Sequence, residues 1–125
     1  MEYERLIKTI FKQIPEIEVE YIEKKEEYSI DEETGVHIIF GFIIMPYVIR
    51  LINNKGSNDD ILLHEIFTFF EQMATQGDTK VKEVLDFTII EDILEAGEQV
   101  IEGAYKYMQV VTCMHFEDVR RYFKV

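Results

Sequence analysis

The chain has 125 residues, 47% of them hydrophobic, with one cysteine and a formal net charge of -12. That length suits one domain spanning residues 1–125, large enough to bury a core, and the apolar content excludes a disordered chain. Cys113 as the sole cysteine excludes an intramolecular disulfide and a cysteine-rich zinc site, and 25 acids against 13 bases disfavour nucleic acid and anionic lipid while favouring a basic partner.

The opening Met1-Glu2-Tyr3-Glu4-Arg5 lacks the basic and apolar regions of a secretory signal, so the expected compartment is the reducing cytoplasm. Leu6, Ile7, Ile10, Phe11 and Ile14 then recur at spacings of three and four, which predicts a first amphipathic helix ending at Pro15. Residues 16–30 are ambiguous. Ile17 to Glu23 alternates like a strand, but one strand without a partner leaves its backbone unsatisfied. Pro15 suits a helical first turn, and a helix is the favoured reading.

From Val36 to Asn53 the chain is apolar almost throughout. Its length favours one central helix covered on all sides over two buried strands broken at Pro46. The uncharged stretch Ile38 to Ile49 is too short to span a membrane, so no membrane association is expected. Pro46 should kink the helix. Residues 53–58 read as a loop, and Ser57 with Asp60 as a loose capping box. A helix from Asp59 to Thr75 buries Leu62, Ile66, Phe69, Phe70 and Met73, with Gly77 as its C-terminal cap and Asp78 as N-cap of the next. That helix, residues 79–95, buries Val81, Val84, Leu85, Thr88 and Ile89 and breaks at Ala96-Gly97. Another from Glu98 to Met108 turns in Val100, Ile101, Ala104, Tyr105 and Met108. A last one from Met114 to Phe123 uses Phe116, Val119, Tyr122 and Phe123. The expected fold is all-α, with six or seven short antiparallel helices packed around the helix at 36–53, in the manner of a short solenoid.

No motif for chemistry emerges. His37, His64 and His115 lack the convergent ligands of a zinc or di-iron site, although Asp60 with His64, and Glu33 with His37, stand one helical turn apart. No metal or cofactor is expected. Glu91 and Glu95 pair on one helix face, but such pairs arise by chance among 25 acids and need opposed environments to do acid–base work. Cys113 and His115 are two residues apart and do not face each other on a helix. No glycine-rich phosphate loop is present. The basic patch Arg120, Arg121 and Lys124 is too small to bind DNA or RNA against the global charge.

What remains is charge. Residues 59–98 hold 11 acids and two bases, Lys80 and Lys82. Neighbouring helices would gather Asp59, Asp60, Glu65, Glu71, Glu83, Asp86, Glu91, Asp92, Glu95 and Glu98 into an acidic surface that steers a basic protein partner. Exposed aromatics would give that surface its energetic centre, with Phe67, Phe87, Tyr105 and Tyr107 as candidates.

The stretch from Gly35-Val36-His37-Ile38-Ile39-Phe40-Gly41-Phe42 through Met45-Pro46-Tyr47-Val48, with Val84-Leu85-Asp86-Phe87-Thr88-Ile89-Ile90-Glu91 and Tyr105-Lys106-Tyr107-Met108, resembles small bacterial helical proteins, some of which look like immunity proteins of polymorphic toxin systems. The resemblance spans residues 30–110. It implies a non-enzymatic protein that neutralises a cognate toxin by direct binding, and it assigns no interface residues. A helical adaptor or regulator, monomeric or homodimeric, is the alternative.

Overall fold

A computed structural model describes residues 1–54 and 58–123, and it is helical with no strand among them. A 3-10 turn at Tyr3–Arg5 leads into α1, Leu6–Gln13. Helix α2 is Pro15–Lys24, with Pro15 in its first turn, where a missing N–H costs nothing. Helix α3 is Val36–Asn53, α4 is Asn58–Gln76, α5 covers residues 79–95, α6 is Glu98–Tyr105 and α7 is Val110–Phe123. The Ser57 capping box and the middle of the 53–58 loop lie outside the described residues.

The strand-like alternation at 17–23 is overridden by helical packing. Ile17 and Glu20, three apart, turn inward, while Val19 and Ile22 face solvent. Burying the Glu20 carboxylate is costly without a counter-charge. Arg50 of α3 supplies one, its Nη2 donating to Glu20 Oε2 at 2.9 Å. After α2 the chain turns through Ser29, which has a left-handed φ of 56°. The Ser29 N–H bonds the Glu26 carbonyl and the Ile30 N–H bonds that of Lys25, a Schellman-type closure with Ile30 buried beyond it. Such a closure usually falls on glycine, so no sequence signal marks it.

Gly77 does not take the left-handed cap conformation; among the described glycines only Gly97 has positive φ, at 99°. Gly77 is required for closeness instead, because a Cβ there would meet the Met73 carbonyl oxygen and the Val81 side chain. Asp78 does cap α5: its carboxylate accepts the Val81 N–H at 2.9 Å. Its other oxygen accepts the Tyr3 N–H at 3.0 Å, fastening the start of the chain to the α4–α5 link.

One core unites all seven helices. It includes Leu6, Ile10 and Ile17 from α1 and α2, Phe40, Ile44 and Val48 from α3, Ile66 and Phe70 from α4, Leu85 and Ile89 from α5, Ile101 from α6 and Phe116 from α7. Each such side chain contributes about 1.5–3 kcal/mol by leaving water. Helices α3, α5 and α7 run in one sense, with α5 in the middle. His37 of α3 meets Thr88, Ile49 shares a cavity with Ala96, and His115 of α7 meets Asp86.

Three expectations about orientation need correction. Helix α3 is long and apolar enough to cross a membrane by length and composition, but it is not covered all round: 39% of it is buried. Its inner residues enter the core, while Ile38, Phe42 and Pro46 lie in solvent. Tyr105 and Tyr122 are exposed rather than inward, because α6 ends at Tyr105 and α7 begins four residues earlier than its stripe suggests. At Pro46 the helix carries a widened turn just before the ring, a feature that goes with a kink.

Candidate functional site

Both α3 and α5 contain a π-helical turn, at Phe40–Ile44 and Leu85–Ile90. Such turns insert an extra residue into a helix and recur at functional sites. In α3 the cause is Pro46, which has no N–H to donate and whose ring crowds the carbonyl four residues earlier. The helix widens just before it, and the Met45 N–H reaches back five residues to Phe40. The two π turns pack side by side, with Gly41 of α3 facing the Thr88 methyl at a Cβ-equivalent distance of 3.9 Å.

Two histidines grip the π turn of α5 from opposite flanks. His37 Nδ1 lies 2.6 Å from Thr88 Oγ1 on the α3 side. His115 Nδ1 lies 2.7 Å from Asp86 Oδ1 on the α7 side. Asp86 and Thr88 thus point to opposite neighbours, and Phe87 between them is left outward, 58% exposed. The third histidine, His64, stays on α4 beside Asp60 at 3.7 Å, with its ring edge-on to Tyr107. Glu33 sits in the turn before α3, capped onto Asp31, so it shares no helix face with His37. Among the described residues no three His, Cys, Asp or Glu side chains are grouped to hold a metal.

Beyond the π turns, α3 and α5 diverge around a shallow cavity of about 280 Å³, lined by Gly41, Met45, Pro46, Ile49, Asp92, Glu95 and Ala96. Asp92 is half-buried there. Burial foremost, then the negative charges of Glu95 and Glu91, pushes its carboxyl up to about 6. Glu91, Asp92 and Glu95 have no cationic partner among the described residues. Beside them runs the outer stripe of α3: Ile38, Phe42 and Pro46, one turn apart, with Ile38 48% and Phe42 53% exposed. The Tyr28 ring lies 5.6 Å from that of Phe42 and extends the apolar surface.

The other acids expected at an interface have varied surroundings. Glu71 turns toward α7, where Oε1 accepts the Thr112 N–H and hydroxyl and Oε2 accepts the Val111 N–H. Desolvation raises its pKa, but these hydrogen bonds and nearby His115 outweigh that and hold it below the ordinary carboxylate value. Asp86 is engaged by His115, and Glu98 lies 3.4 Å from Arg120. Asp59 and Asp60 border a second cavity of about 490 Å³ with Glu102, Lys106 and Tyr107, where Asp60 accepts the Tyr107 hydroxyl at 2.8 Å. Glu65 and Glu83 are exposed on α4 and α5. The structure therefore gathers Glu91, Asp92 and Glu95 in one place, Asp59 and Asp60 in another, and employs Glu71 as an internal cap.

Of the aromatic candidates, Phe87 is outward and Tyr105 partly so. Phe67 is fully buried between Phe70 and Tyr107, because α4 packs on more than one side. Ile38, Phe42 and Pro46 escaped sequence reasoning. They sit inside an unbroken apolar run, where no polar residue marks which face is wet.

The family model described as Domain of unknown function (DUF7674) matches residues 7–124. The chain belongs to that family. No curated protein and no solved structure matches the chain.

Proposed function

We propose that this protein is a non-enzymatic binding protein, an immunity protein that neutralises a cognate toxin in the cytoplasm by direct, stoichiometric contact. The observation that carries the reading is the outer face of α3 and α5. An exposed apolar stripe, Ile38, Phe42 and Pro46, ends at Pro46 in a cavity shared with Asp92 and Glu95, and these two carboxylates and nearby Glu91 have no cation of their own among the described residues. Exposed aromatic and aliphatic anchors supply binding energy, and the adjoining charges select and steer a basic partner. The net charge of -12 extends the steering to long range.

The test is co-expression with the protein encoded directly beside this gene, which the reading expects to be a toxin. The reading expects a 1:1 complex on size exclusion and survival of cells that the toxin alone kills. Free passage of the two proteins through the column, with no protection, would refute it. A dimer of this chain that ignores the toxin would support the adaptor reading instead.

A further inference from the structure

We infer that the groove between α3 and α5 receives a cationic amphipathic helix of the partner, its apolar side on Phe42 and Phe87 and its basic side chains on Glu91, Asp92 and Glu95. This deepens the protein-binding reading above and rests on it.

Shape comes first. Helices α3 and α5 run in the same sense, so their outer faces form two parallel walls, and between them lies the cavity bounded by Gly41, Met45, Pro46 and Ile49 on one side and Asp92, Glu95 and Ala96 on the other. From Ile38 to Ile49 the α3 wall is about 17 Å long at 1.5 Å per residue, room for about three turns of a docked helix. Helices laid into apolar grooves use anchors one turn apart, and the outer face of α3 exposes Ile38, Phe42 and Pro46 at that spacing, with Pro46 reaching the cavity itself.

Charge decides the occupant. The α5 wall carries carboxylates at Glu91, Asp92 and Glu95, and the one arginine near this end of α3, Arg50, is engaged by Glu20. A second copy docked by the same face would set these same acids against one another, and one docked through Lys8 and Lys12 of α1 would appear as self-association of the wild type on size exclusion, which would overturn the inference. An anionic lipid surface meets the same repulsion. A basic helix sets cations beside Glu91, Asp92 and Glu95 and covers the apolar stripe in one step.

The probe is an 18-residue Leu/Lys peptide with leucines on one helical face, labelled for fluorescence anisotropy, with a Leu/Glu peptide of the same pattern as counterpart. The groove variants are Phe87→Ser and the pair Glu91→Lys with Glu95→Lys, each an exposed or partly exposed position. The control is Ile61→Ser with Glu65→Lys on α4, equally apolar and acidic but away from the groove. The inference expects saturable 1:1 binding of the Leu/Lys peptide, no binding of the Leu/Glu peptide, weakening of about tenfold or more in the groove variants, and unchanged affinity in the control. Equal weakening by groove and control variants would overturn it, since binding would then follow total charge. So would no peptide binding, or binding to phosphatidylglycerol vesicles that the groove variants abolish. If the groove variants still co-purify with the toxin, the groove is refuted while the immunity reading stands. Thermal melts of each variant identify any loss that comes from unfolding.

Discussion

Glu71 of α4 caps the N-terminus of α7: its carboxylate takes the N–H and hydroxyl of Thr112 and the N–H of Val111, at 2.8 to 3.0 Å. A helix start leaves its first N–H groups without partners, and here the acceptor comes from a residue 40 positions away in sequence. Glu71→Gln should therefore lower stability at pH 7 by about 1 kcal/mol, read by urea denaturation. Because these bonds hold the carboxyl below its ordinary value, the stabilisation is complete above the unfolded pKa and lost as pH falls through the folded one. The difference between wild type and Glu71→Gln should shrink as pH falls below the ordinary glutamate range and vanish only below the depressed folded value. A difference that persists there would mean Glu71 acts through packing.

The contact between His37 and Thr88 ties the first turn of α3 to the π turn of α5. Thr88→Val keeps the shape of the side chain but removes the hydroxyl, leaving a partly buried imidazole nitrogen unsatisfied. The expected cost is about 1–2 kcal/mol. In a double-mutant cycle with His37→Leu, the second substitution should cost much less once the first is made. Additive losses would show that the pair is not coupled.

Asp92 behaves in the opposite sense to Glu71. Burial and the neighbouring Glu95 and Glu91 push its carboxyl up to about 6, so the folded protein holds a proton that the unfolded chain has released. Its contribution to stability is present below the unfolded pKa of about 3.9 and lost as pH rises through about 6. Asp92→Asn should therefore raise stability at pH 7.5, by about 1 kcal/mol after solvent screening of a half-exposed group, and should change little at pH 4. Calorimetry at the two pH values reads this as a Tm gain of a few degrees at the higher one only. An equal gain at both would point to hydrogen bonding by the amide rather than relief of charge.

The parts of the fold that sequence reveals are those with local punctuation. Asp78 announces α5, Gly97 ends it, and the apolar spacing of α4 and α5 gives their buried stripes directly. What sequence hides is set by distant neighbours. Nothing near Glu71 shows that it will cap α7, and Glu20 looks like any exposed acid until Arg50 is brought to it. The candidate face is half legible. Glu91, Asp92 and Glu95 stand out as an acidic run, and Phe87 as an off-stripe aromatic. The α3 half is concealed, because in an apolar run the wet face is chosen by which helices pack beside it, and only the fold shows that Ile38, Phe42 and Pro46 are left uncovered.

The central claim is that the outer face of α3 and α5 binds a basic protein. It is tested most directly by titrating the 18-residue Leu/Lys peptide into wild-type protein and into the Phe87→Ser, Glu91→Lys, Glu95→Lys variant by isothermal calorimetry. The account predicts a 1:1 complex with wild type whose affinity drops at least about tenfold in the variant and weakens with added salt. An affinity unchanged by the three substitutions, or no binding by the wild type, would contradict it.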